Sequence, residues 1–371
     1  MKTKATEMFG LDVPIFAFSH CRDVVVEATR AGGMGVLGTT RIDPVELEAE
    51  LKWIDRHTDG RPYALDLALP AKMERAVPMS ERERTLPPEH VRFVDKLLED
   101  AAIPPLPDDE RKRLYEQTMG YRLTAEGGME LIEVALEHPQ VRLVVGALGV
   151  PPPEMIEVLH RHDIKVGALA GNVEHARKSI AAGVDIIVAQ GMEAGAHTGN
   201  IASMVLWPQM VDAVAPVPVL AAGGVGRGRQ FAAALALGAE GVWCGSIWLG
   251  TRESELSPEM KERFFAARSE DAVQRKVFTG KQCRMLRSRF TEAWEAPDAP
   301  RPLPMPLQSM LVAEARARIE RAKAKEYMGY YVGQIVGDMT EETSTRGVIH
   351  DMLLEFAESA EKLARQLNDD E

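Results

Sequence analysis

Apolar runs of four to nine residues alternate with amphipathic stretches over the first two thirds of the chain. PIFAFS (14–19), GVLG (35–38), PYALDL (62–67), VRLVVGALG (141–149), IKVGALAG (164–171), VDIIVAQG (184–191), VPVLAAGG (217–224) and EGVWCGS (240–246) read as eight strands. They are continuously apolar rather than alternating, as expected of a parallel sheet covered on both faces. Helical patterns fill the gaps: RDVVVEATRAGG, PVELEAELKWIDRH, PPEMIEVLHRHD with its leading prolines, VEHARKSIAAG, SMVLWPQMVDAVA and GRQFAAALALG. Successive strand–helix units of this kind predict an α/β chain closed into a (β/α)8 TIM barrel rather than an open sheet.

Two segments break the rhythm. Residues 71–128 are charged and Pro-containing, and read as a helical insertion after the third strand. A structureless loop of that length would be out of place in a compact domain. Residues 252–337 show no strand pattern; a Pro-rich break at 297–306 precedes a charged helix at 312–327, which suggests a C-terminal helical cap. The expected division is a barrel of residues 1–255 plus 338–371, carrying the 71–128 insertion, and a cap or substrate domain of 256–337. In the final stretch, Val348, Met352, Leu353, Phe356, Ala360 and Leu363 share one helical face, predicted to pack back on the barrel. That apolar face would also suit a homodimer; ordinary packing explains it equally well.

Composition narrows the function. The 371 residues include 45% hydrophobics, ample for a large core, and carry a net charge of −12. Lys and Arg are dispersed among acids, so nucleic acid and anionic membranes are poor partners. There is neither a membrane-spanning apolar run nor, in MKTKATEMFG, a signal-peptide hydrophobic region, and the cytoplasm is the expected location. Cys21, Cys244 and Cys283 are far apart, implying no disulfide framework and no metal site.

Candidate chemistry follows from barrel geometry, because active sites lie at the C-terminal ends of the strands and phosphates sit on the last two loops. The seventh run ends in Ala222, Gly223 and Gly224, where glycines admit an anion to the backbone and the next helix offers its N-terminus. The eighth ends in Gly245 and Ser246, a small residue and a hydroxyl. The sixth leads into Gln190, Glu193 and His197, with small residues 194–196 between them, and a histidine there can move protons near neutral pH. His20 and Cys21 follow the first run and are a candidate substrate contact or simply a turn into the next helix. Adjacent residues rarely face each other, which argues against a thiol–imidazole pair. His57, His138, His160, His162, His175 and His350 fall on helices or helix ends and are expected to be solvated, and His90 lies in the insertion. Asp66 ends the third run, as a ligand contact or as local turn chemistry.

DIIVAQGMEAGAHTG and PVLAAGGVGRGRQFAAALALGAEGVWCGS, with PIFAFS…AGGMGVLG and MPLQS…YYVGQIVG, resemble the nitronate monooxygenase family. Related FMN-dependent NADH:quinone reductases and flavin-dependent enoyl-ACP reductases share the pattern. The resemblance spans most of the chain outside 71–128. It implies FMN, with its phosphate on Ala222, Gly223, Gly224, Gly245 and Ser246. It also implies Gln190 and Gly195 along the flavin, Ala17 and Phe18 against the ring, and His197 in catalysis, with the contact at Asp66 lost or altered in charge. The implied reaction is oxidation of an alkyl nitronate, a small-molecule substrate, by O2. The alternative is NAD(P)H-driven reduction of a quinone or enoyl thioester. The chain departs from the family pattern at four places. Ala196 replaces the second glycine of Gly-Gly-His, Ser246 replaces Thr, Phe18-Ser19 replaces Pro-Met, and Asp66 replaces Asn. The third departure, followed by His20 and Cys21, means that the family's substrate face of the flavin does not carry over directly.

Overall fold

The computed structural model describes residues 1–40, 42–67, 77–119 and 124–368. The parts of the expected insertion at 71–76 and 120–123 lie outside the described residues. The strands are β1 (Ile15–Ser19), β2 (Met34–Gly38), β3 (Tyr63–Leu67), β4 (Val77–Pro78), β5 (Thr118–Met119), β6 (Val141–Gly146), β7 (Lys165–Ala170), β8 (Ile186–Gln190), β9 (Val219–Ala222), β10 (Gly241–Cys244), β11 (Ala272–Arg275) and β12 (Cys283–Leu286). Eight of these are parallel and close in the order β1-β10-β9-β8-β7-β6-β3-β2, so the expected barrel forms with each strand one of the eight apolar runs.

Alternation along each strand divides the core in two. Phe16, Val36, Ala64, Val145, Val188, Leu220 and Trp243 point to the barrel axis. Ile15, Ala17, Leu37, Leu65, Val144 and Val242 point outward and pack under the helices. The short helix Lys4–Phe9 places Ala5 and Phe9 in the axial cluster, and Phe9 meets Phe16 edge-on at 5.9 Å. It plugs the N-terminal end and leaves the opposite end for chemistry. Helix starts are fixed locally. Asp43 accepts from the amide of Glu46 beside Pro44, and Asn172 accepts from the amide of His175.

Three expectations change. Residues 252–337 are not purely helical, since β11 and β12 form an antiparallel hairpin with Ala272 opposite Leu286 and Arg275 opposite Cys283. Its strands are four residues each, and Val273, Cys283 and Met285 bury their side chains, so the pattern is too short to separate from helix turns. The insertion also contains the two-residue ribbon β4–β5 besides its helices Pro88–Asp100 and Asp108–Tyr115, and Ala125–Leu136 is a barrel helix preceding β6. Third, Val77, Met79, Leu86, Val94, Leu98 and Ile103 of the insertion join Met260, Phe264, Met310 and Leu311 in one apolar cluster. Insertion and cap thus share a core apart from the barrel's.

The terminal helix Thr345–Asn368 packs as expected only in its first half. Val348, Ile349 and Met352 are buried, whereas Ala360 is exposed and Leu363 is 54% exposed. Gly228 makes this packing possible, because a Cβ there would stand 2.2 Å from the Met352 carbonyl oxygen. Nor are all the helical histidines solvated. His138 is buried, with Nδ1 2.6 Å from Asp55 Oδ2 and Nε2 2.9 Å from Glu48 Oε2, and Tyr63 donates to the same Asp55. This network ties a barrel helix to the start of β3, at the end away from the mouth. Among the described residues, no helix is long and apolar enough to cross a membrane.

Candidate active site at the barrel mouth

Strand alternation decides which side chains reach the mouth. Two residues beyond the axial Phe16, Val36, Ala64, Val188 and Trp243 come Phe18, Gly38, Asp66, Gln190 and Gly245. Phe18 lies nearly parallel to Trp243 at 6.1 Å and meets His20 edge-on at 5.3 Å. Ala17 faces the other way, fully buried among the outer helices, so its side chain cannot approach a ligand in the mouth.

His20 and Cys21 part company. His20 is exposed over β2, its Nδ1 2.9 Å from the Gly38 carbonyl oxygen. Cys21 is 4% exposed in the outer cluster and donates its thiol proton to the Glu253 carbonyl at 2.9 Å. Burial pushes that thiol up to about 11. It is a packed thiol turned from the mouth, and of the two candidate substrate contacts only His20 sits at the catalytic end.

The last two loops form a cradle. Gly223 and Gly224 have φ of 112° and 69°, conformations that glycine adopts without strain. A Cβ at Gly223 would stand 2.5 Å from Ser203 Oγ. Among the described residues, none accepts a hydrogen bond from the amides of Gly223, Gly224 or Gly245. Ser246 Oγ accepts from the Gly333 amide at 2.7 Å, which leaves its own proton to donate. Free amides beside a hydroxyl at these two strand ends fit a phosphate. The helix that follows contributes less than expected. Its first amide, on Gly228, donates to Glu355 at 2.8 Å, and the amides of Gly226 and Arg227 donate to Gln230 Oε1. The N-terminal charge of that helix is already met by a carboxylate.

Asp66 and Gln190 are the polar side chains facing the axis at this level. Asp66 is 3% exposed, and burial pushes its carboxyl up to about 7. Neither side chain has a hydrogen-bond partner among the described residues. The backbone of Asp66 does make turn contacts, its carbonyl accepting from the amide and hydroxyl of Thr39. The flat edge of a flavin, bearing donors and acceptors, suits this pair.

The loop after β8 carries His197, and the hairpin β11–β12 holds it. His197 Nδ1 lies 3.0 Å from the Gln282 carbonyl oxygen. Ala196 and Arg284 exchange both backbone hydrogen bonds, at 2.9 and 2.7 Å. The buried Arg284 guanidinium donates to the carbonyls of Met192 and Ala272. Gln274 donates to Thr198 Oγ1 at 3.1 Å. Ala196 stands at φ 60°, in the left-handed region, where the family pattern has glycine. Its hydrogen bonds to Arg284 offset a strain of about 1 kcal/mol. At Gly195 a Cβ would meet the Val332 carbonyl carbon at 2.9 Å, so the missing side chain admits the 332–334 backbone. Glu193 reaches away from the mouth to accept from the Ser203 amide and hydroxyl, fixing the helix Ser203–Val214 against the cradle. A cleft of about 330 Å³ opens beside Glu193, Gly223, Gly224, Gln334 and Asp338.

Gln282, Arg284 and Glu355 are the supports that the linear sequence hides. They act across 85, 92 and 127 positions, and each works on backbone groups that no motif records.

A closed parallel barrel with free amides on its last two loops and a histidine-bearing loop beside them is here the frame of a flavin-dependent oxidoreductase. The chain belongs to the nitronate monooxygenase family, whose model matches residues 17–355. It is 48% identical to a Mycobacterium tuberculosis protein provisionally named a monooxygenase, over 98% of both chains. It is 26% identical to a Staphylococcus aureus protein provisionally named a nitronate monooxygenase, over 90% of this chain and 91% of that one. Among solved structures, nitroalkane oxidase from Streptomyces ansochromogenes superposes with a TM-score of 0.78 at 27% identity, covering 96% of this chain and 99% of that one.

Proposed function

We propose that the chain is an FMN-dependent nitronate monooxygenase that oxidises alkyl nitronates, or closely related small carbon acids, with O2. The observation that carries this reading is the contact between His197 Nδ1 and the Gln282 carbonyl. A carbonyl only accepts, so Nδ1 carries the proton and Nε2 is the basic nitrogen. In that tautomer His197 removes the α-proton of a neutral nitroalkane, and as imidazolium it holds the anionic nitronate. The relatives named for nitronate or nitroalkane oxidation support the same substrate class.

The amides of Gly223, Gly224 and Gly245 and the Ser246 hydroxyl would hold the FMN phosphate. Asp66, Gln190 and Phe18 would meet the ring system. Bound FMN supplies the electron transfer between substrate and O2. The chain's part is to orient the substrate beneath the cap, to keep His197 in its basic tautomer, and to exclude water.

The test is His197→Asn. The variant keeps FMN but loses turnover of the neutral nitroalkane far more than of preformed nitronate. Equal losses on both substrates overturn the assignment of His197 as base. Anaerobic mixing of the native protein with NADH or NADPH, and separately with a nitronate, tests the electron donor. Rapid flavin bleaching by a nicotinamide and none by a nitronate would make the chain a reductase instead.

A further inference from the structure

Asp66 lies deep in the mouth, 3% exposed, and no described residue donates a hydrogen bond to its carboxyl. A carboxyl so withdrawn from water and from protein donors gains from a partner that arrives with a ligand. Asp66 faces the axis, level with Gln190 and across from the phosphate cradle, where a ring held by that cradle would lie. A protonated carboxyl has the shape of an asparagine side chain and likewise offers one donor and one acceptor. An ionised carboxylate offers acceptors only and brings an uncompensated charge into the mouth.

We propose that Asp66 binds the flavin as a neutral carboxylic acid and that its ionisation loosens the flavin. The inference rests on the flavin reading above and adds that flavin binding is linked to one proton on this residue. The surroundings favour the neutral acid. Beside Asp66, β2 offers Gly38 and β6 offers Val145, and Thr39 turns its hydroxyl to the Asp66 carbonyl. None of these titrates. Among the described residues, the titratable side chain over this end of β2 is His20, which bonds the Gly38 carbonyl. Burial alone holds the ligand-free carboxyl up at about 7, so the change falls within reach of ordinary buffers.

The experiment uses the holoprotein. FMN released on ultrafiltration is measured by fluorescence between about pH 6 and pH 9, for the native chain, Asp66→Asn and His20→Gln. The native affinity is expected to be level below about pH 7 and to weaken by up to tenfold per pH unit above it, one proton being linked to binding. Asp66→Asn is expected to be level across that range, and His20→Gln to follow the native curve. FMN's own ionisations are common to all three proteins. A level native curve, an Asp66→Asn curve that bends as the native one does, or a His20→Gln curve that loses the bend overturns the proposal. A native protein that binds no flavin at any pH would instead overturn the flavin reading itself.

Discussion

Glu355→Gln isolates the clamp behind the loop that follows β9. Glu355 stands on the terminal helix and accepts from the Gly228 amide at 2.8 Å, from Arg227 at 3.1 and 2.7 Å, and from Arg229 at 2.5 Å. Partial burial raises its carboxyl, but the hydrogen bonds from Arg227 and Arg229 outweigh that and hold it at about 2 instead of 4.5. A displacement of that size corresponds to at most about 3 kcal/mol. The arginine side chains are 44% and 68% exposed, so solvent screens them and about 1–2 kcal/mol is the better expectation. The folded carboxyl is the more acidic, so its contribution is complete above pH 4.5 and fades as pH falls towards 2. Urea unfolding of native and Glu355→Gln proteins is the assay. The variant should be weaker by about 1–2 kcal/mol near neutral pH, with the gap narrowing at the lowest pH where both refold, and narrowing also in high salt. No gap at neutral pH, or one that ignores pH and salt, would refute the electrostatic account.

The same junction predicts that Gly228→Ala lifts the terminal helix, since the new Cβ would stand 2.2 Å from the Met352 carbonyl oxygen and 2.4 Å from the Phe356 amide nitrogen. A loss of about 3 kcal/mol or more is expected in unfolding, with faster proteolysis of residues beyond 345; native-like resistance would mean the helices are not so closely packed. Cys21, Cys244 and Cys283 are buried, with thiols pushed by burial up to about 11, 12 and 11. Alkylation at about pH 8 should therefore be slow in the native protein and fast in urea, and rapid native labelling of Cys21 would restore it as a mouth residue.

The barrel was legible because buried parallel strands write themselves as continuous apolar runs, and eight such runs have few other uses. The tight turn after β9 is legible for a related reason: Gly223 and Gly224 need backbone conformations that other residues adopt only with strain. Which side of a strand a residue faces was harder to read. Ala17 and Phe18 are neighbours in sequence but lie on opposite faces of β1, and both faces are apolar. The hairpin at 272–286 was hidden because its strands are short and its inward residues match a buried helix equally well. His138 reads in sequence as a solvated helix-end histidine because Asp55 and Glu48, which surround it, lie 83 and 90 positions away.

The hairpin explains how the cap, remote in sequence from the barrel loops, holds the loop that carries His197. Along β12 successive residues face opposite ways. Gln282 and Arg284 turn to the His197 loop, whereas Cys283 and Met285 bury their side chains in the core shared by cap and insertion. Two of the contacts to the loop, the Gln282 carbonyl on His197 and the Arg284 exchange with Ala196, use the hairpin's backbone, so register governs them more than side-chain identity. A slip of one residue would bury Arg284 in an apolar core and move the Gln282 carbonyl away from His197. The apolar cluster of cap and insertion therefore keeps His197 in its Nδ1–H tautomer by fixing that register.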